Sequence, residues 1–114
     1  MSQDIVFSSA GELATSIKAR RVSAVEVLEA HLRQIDAHNS SLNAVVTLDA
    51  DRARDDAKAA DEAIARGDST GPLHGVPFTL KDAFATKGVR TTVGFQPFDH
   101  VPKEDSTVAA RLKG

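Results

Sequence analysis

The chain has 114 residues, enough for one small domain and a modest core. Fourteen Lys and Arg against sixteen Asp and Glu leave a formal net charge of −2, so no basic field points to nucleic acid or anionic lipid. With no cysteine there is no disulfide, zinc–thiolate site or thiol nucleophile, and 41% hydrophobic with 26% charged residues is ordinary soluble usage.

The first residues, "MSQDIVFSSAGELA", carry an early aspartate and lack the apolar run of a secretory signal. No apolar stretch approaches the roughly 20 residues of a membrane span, so the expected location is cytoplasmic. Two S-x-x-E capping boxes then predict two helix starts within residues 9–39. Ser9 pairs with Glu12 and Ser23 with Glu26, each hydroxyl receiving an N3 amide while the N3 carboxylate reaches back. In the second helix, expected over Ala24–His38, Val22 can staple onto Val27, and Val25, Leu28, Leu32 and Ile35 recur at helical spacing.

Asn39-Ser40-Ser41 reads as a break, and "LNAVVTL" as a strand over Ala44–Leu48. A helix with a stripe of small residues follows, Ala50, Ala53, Ala57, Ala60 and Ile64, stopped by Gly67. Residues 44–67 thus form a strand–helix unit. Asp68–Pro72 is a loop, and "GVPFTL" predicts an apolar strand with Pro77 at its start or edge. The rest of 73–105 is irregular with a short strand near Arg90–Val93, and Ser106 or Asp105 caps a terminal helix over 106–114. This order predicts an α/β fold with two or three strands belonging to a larger mixed sheet.

Lys81 is the sharpest candidate for chemistry. Val76, Phe78 and Leu80 precede it on the expected strand and Asp82 follows it. Apolar surroundings disfavour the charged form of an amine, and a neutral lysine can take a proton from a serine hydroxyl. On spacing alone, a lysine closing a strand more often simply reaches solvent. His31, His38, His74 and His100 have no metal-ligand spacing, and Asp49, Asp51, Asp55 and Asp56 interleave with Arg52, Arg54 and Lys58 as a solvated helix face. Ser8-Ser9 reads as a helix cap and Ser40-Ser41 as a turn. Gly71, Gly75 and Gly88 lack phosphate-loop spacing.

The block G-P-L-x-G-V-P-F-x-x-K-D at 71–82, then T-K-G-V-R-T-T-x-G at 86–94, then D-S-T-V-x-x-R-L at 105–112, resembles the N-terminal part of the amidase signature family. The upstream helices resemble it too. The resemblance implies an incomplete amidase domain over 1–114, within an α/β/α fold that hydrolyses carboxylic amide C–N bonds by a Ser-cisSer-Lys triad. The family's triad lysine maps onto Lys81. No cofactor or metal is implied, and the implied partner is a small-molecule amide.

The family's Gly- and Ser-rich signature, with both serines, lies several dozen residues beyond the lysine block, whereas this sequence stops at Gly114. The 114 residues are therefore expected to be inactive alone. Phe95 stands where many members carry a small or hydroxyl residue. The A subunit of a glutamyl- or aspartyl-tRNA amidotransferase is an alternative parent. A non-catalytic interaction module, self-associating through exposed sheet edges, is a third possibility.

Overall fold

The computed structural model describes residues 2–114. It contains five α-helices: α1 (Ser2–Phe7), α2 (Ala10–Lys18), α3 (Ala24–Leu42), α4 (Ala50–Arg66) and α5 (Thr107–Lys113), with one 3₁₀ turn at Gln96–Phe98. The chain divides into two compact units. The first comprises residues up to Val45 together with Ala50–Pro77, and the second Val46–Asp49 together with Phe78–Gly114.

The first unit is helical, and α2 and α3 start at capping boxes as expected. Ser9 Oγ accepts the Glu12 amide while the Glu12 carboxylate accepts the Ser9 amide at 2.7 Å, and Ser23 and Glu26 repeat the arrangement. The Ser9 hydrogen bonds hold the Glu12 carboxyl below its ordinary value. A tertiary cap adds to the second box. Asp61, on α4, accepts the amides of Ala24 and Val25 at 2.7 and 3.2 Å, so an α4 side chain satisfies orphan donors at the α3 N-terminus. On the surface the Arg54 guanidinium of α4 donates to Glu29 of α3 at 2.6 Å, which lowers the Glu29 carboxyl.

Leu13, Ile17, Ala24, Val27, Leu28 and Ala57 form the buried core, and Ile5, Val22, Leu32, Ala53, Ala60 and Ile64 pack on it. The small residues bring the backbones close. After α4 stops at Gly67, whose φ of 74° suits a helix end, the chain returns to this core. His74 Nε2 donates to the Ala60 carbonyl at 2.9 Å, and Gly75 follows with φ +80°. A Cβ at Gly75 would lie 3.1 Å from the Ala24 Cβ and 3.2 Å from Ile17 Cγ2. Both the turn and the contact require glycine there.

The expected α/β architecture is not formed. Helix accounts for 53% of the chain, strand for 4%, and among the described residues there is no sheet. Two isolated antiparallel bridges, Thr86–Val89 and Thr91–His100, are the only β pairings there. Each expected strand fails for a local reason. Helix α3 runs through the anticipated break to Leu42 and ends on Asn43 in the left-handed region (φ 50°), consuming the approach to the 44–48 strand. The Asn39 side chain then takes both polar groups of Val45, donating to its carbonyl at 2.9 Å and accepting its amide at 2.8 Å. The lysine segment 76–81 pairs with no other strand, and Pro77 removes one donor from it. Near Arg90–Val93 the backbone turns at Val93 and Gly94, both with positive φ. Such runs share no partner of strand length, and a lone pair of strands is marginal in water.

α1 lies in the sequence before any recognised signal. The Ser8 hydroxyl donates to the Asp4 carbonyl at 2.6 Å, and Ile5 touches the core. At the other end Ser106 caps α5, accepting the Ala109 amide at 3.3 Å.

Replacing Gly75 with alanine is expected to destabilise the first unit by about 2 kcal/mol or more, from left-handed strain plus overpacking. A denaturant melt of Gly75→Ala checks this, and an unchanged midpoint would show that the close approach is not required.

Candidate active site

The second unit carries Lys81 and is built from turns and loops. Thr91, Pro102 and Ala109 are its buried residues, and Phe84, Phe95 and Phe98 remain largely in water, Phe95 at 61% exposure. Lys81 is exposed, and among the described residues no carboxylate pairs with its Nζ. The apolar enclosure expected around it is absent here: Phe78 is 45% exposed and Leu80 half-buried.

The ordered chemistry next to Lys81 belongs to Asp82. The Lys81 carbonyl accepts the Phe84 amide at 3.0 Å, closing a turn over 81–84. From that turn the Asp82 carboxylate accepts the Thr92 amide at 3.1 and 3.2 Å and the Thr92 hydroxyl on Oδ2. The Asp82 carbonyl accepts the Val93 amide at 3.0 Å, and Thr92 Oγ1 accepts the Gly94 amide at 3.1 Å. Hydrogen bonds from the Thr92 hydroxyl and then the Thr92 amide hold the Asp82 carboxyl below its ordinary value, against a smaller opposing effect of burial.

The segment that Asp82 grips is strained. Phe95 donates to the Thr92 carbonyl at 2.9 Å across Val93 (φ 50°) and Gly94 (φ 70°), the sign pattern of a type I′ turn. Glycine is at ease there, whereas a β-branched residue with positive φ is an outlier. A rim of pairings surrounds the turn. Thr91 and His100 exchange backbone hydrogen bonds at 2.8 and 3.0 Å. Arg90 clasps Asp99 bidentately at 2.7 and 2.6 Å, lowering the Asp99 carboxyl, and the Phe98 ring stands edge-on to His100. The Asp105 carboxylate accepts the Lys87 amide at 2.7 Å and the Lys113 ammonium at 2.9 Å, tying the loop to α5.

Several of the other candidate residues have structural partners of their own. His31 Nδ1 donates to the Val27 carbonyl at 2.7 Å, and His100 Nδ1 to that of Phe98. Ser9 is occupied as a cap, and Ser41 donates to the His38 carbonyl within α3. What the sequence did not reveal is Thr92, ten residues from its partner Asp82. The available signal was the joint presence of K-D and T-T-x-G.

The Amidase family profile matches residues 26–114, which include Lys81, Asp82 and the Thr92–Gly94 turn. The chain belongs to the amidase family. It is 42% identical over 111 residues to the A subunit of the glutamyl-tRNA(Gln) amidotransferase of Streptomyces coelicolor, covering 96% of this chain and 22% of that protein. It is 38% identical to the acylamidase of Rhodococcus erythropolis over 98% of this chain and 24% of that protein. Among solved amidase-family structures, a bacterial aryl acylamidase superposes with a TM-score of 0.85 at 31% identity, covering 95% of this chain and 23% of the other. A chain from a vestigial complex bearing on the origins of an s-triazine catabolic enzyme superposes at 0.87 with 32% identity, covering 93% of this chain and 24% of that one. The chain thus spans about a quarter of the length of the amidase-family members it matches.

The depressed Asp82 value fixes the sign of a pH effect. The folded state binds fewer protons than the unfolded one around the ordinary aspartate value of about 3.9, so the contribution of the Asp82 hydrogen bonds is complete above it and is lost as pH falls through the lowered folded value. In an acid titration followed by NMR, the Thr92 amide should shift with a midpoint below about 3.9. A midpoint at or above that value would contradict the assignment. At the strained position, Val93→Asn is expected to stabilise by about 1 kcal/mol, since asparagine tolerates the left-handed region. A lower melting midpoint would count against strain at Val93.

Proposed function

We propose that these 114 residues are the lysine-bearing part of an amide-cleaving catalytic domain, with Lys81 as its base. The observation that carries this reading is the position of Lys81 in G-V-P-F-T-L-K-D, inside the segment matched to the amidase family. Its exposed, unpaired side chain is compatible with engaging a hydroxyl supplied from outside these residues.

In the proposed chemistry the neutral Lys81 amine accepts a proton from a bridging serine hydroxyl. That serine in turn takes the proton of the nucleophilic serine as its oxygen bonds the amide carbonyl carbon. The proton returns along the same path to the nitrogen as the C–N bond breaks, releasing the amine and leaving a serine ester. Water, deprotonated through the same groups, then attacks the ester and frees the acid. Both serines belong to sequence outside the 114 residues, so the substrate is a small amide held mostly by that other part, and the location is taken as cytoplasmic.

Purified residues 1–114 should release no aniline from a simple anilide. Joined in frame to the serine-bearing remainder of an amidase domain they should do so, and Lys81→Met there should lower kcat by about 10²–10⁴-fold, the usual worth of a general base. Turnover by the 114 residues alone, or full activity of Lys81→Met, would overturn the reading.

The 42% identity to an amidotransferase A subunit supports a second reading, in which the same chemistry frees ammonia from glutamine for a partner protein. Glutamine hydrolysis that requires the partner favours this reading, and partner-independent anilide cleavage favours the first. A non-catalytic, self-associating module would have to use exposed apolar side chains such as Phe95, since the described residues form no sheet edge.

A further inference from the structure

We propose that Asp82 is a positioning residue for Lys81, acting through a staple that its carboxylate closes between two tight turns. The inference rests on the reading of Lys81 as a base and adds what holds that base in place.

The first turn, 81–84, is closed on the carbonyl of Lys81 itself, and the second, 92–95, contains the strained Val93. Strained backbone persists only where its surroundings over-determine it. Here the determinants converge on one residue. Thr92 gives Asp82 both its amide and its hydroxyl, and Val93 gives its amide to the Asp82 carbonyl. The Thr92 oxygen meanwhile accepts from Gly94, so the second turn is gripped at three successive residues. A charged acceptor makes such bonds stronger than neutral ones.

Two consequences reach Lys81. Its backbone is fixed on the C-terminal side, because its own carbonyl and the next residue's carbonyl and carboxylate are all engaged. The adjacent carboxylate is also directed at Thr92, so it does not serve as a counter-ion to Lys81. The amine is left available to a hydroxyl, on a Cα that does not wander.

The test has two arms. In the 114-residue chain, amide exchange measured by NMR near neutral pH is compared for wild type, Thr92→Val and Thr92→Ser. Loss of the hydroxyl in Thr92→Val should speed exchange at Phe84 and Val93 by about tenfold, with Val27 in the helical unit unchanged and with Thr92→Ser restoring the wild-type rates. Unchanged exchange at Phe84 would overturn the staple.

In the amidase that carries these residues, Asp82→Asn should lower kcat about tenfold with KM unchanged and move the pH profile of kcat. If Lys81→Met inactivates while Asp82→Asn leaves kcat intact, or acts only through KM, the positioning role fails and the base stands. If Lys81→Met remains active, the base reading fails and the exchange arm alone decides the staple.

Discussion

Every backbone amide removed from water needs an acceptor, and in this chain side chains meet much of the demand that a sheet would otherwise meet. Asp61 takes two amides at the start of α3, Asn39 takes both polar groups of Val45, Asp82 takes Thr92, and Asp105 takes Lys87. Each of these acceptors lies at least six residues from what it holds. The loops keep their shape through pegs of this kind, and three of the four pegs named are aspartates.

The same constraint accounts for how the apolar residues are distributed. In the helical unit, caps and small side chains let α3 and α4 approach closely enough to bury Ala24, Val27 and Ala57 and to admit the Gly75 backbone. In the unit that carries Lys81, pegged loops fix the backbone without enclosing a core. Thr91, Pro102 and Ala109 are covered while Phe78, Phe84, Phe95 and Phe98 are not. Exposed aromatic side chains in such number commonly mark a surface that meets other protein. The two solved structures compared above are chains of which it covers 23–24%.

What could be read from the sequence follows the range of the interaction involved. Both capping boxes, the Gly67 stop and the Ser106 cap are local patterns within three or four residues, and all appear as expected. The expected strands do not form because β-branched runs such as Ala44–Leu48 announce propensity but not a partner, and context decides their state. The extension of α3 through Asn39-Ser40-Ser41 has no local signature, since Asn39 is satisfied by Val45, six residues on. The family was legible from ordered blocks of residues, and Lys81 gained its proposed role from that resemblance, since a lysine after an apolar run has no distinctive spacing of its own. The Asp82–Thr92 link, spanning ten residues between two loops, needed coordinates.

The proposed role of Lys81 as a base is tested most directly by chemical rescue. Lys81→Gly in the active amidase should be nearly inactive on an anilide, and small primary alkylamines added to the buffer should restore turnover in proportion to their unprotonated concentration. A rate independent of added amine, or one that follows total amine regardless of its protonation, would contradict a proton-accepting lysine at this position.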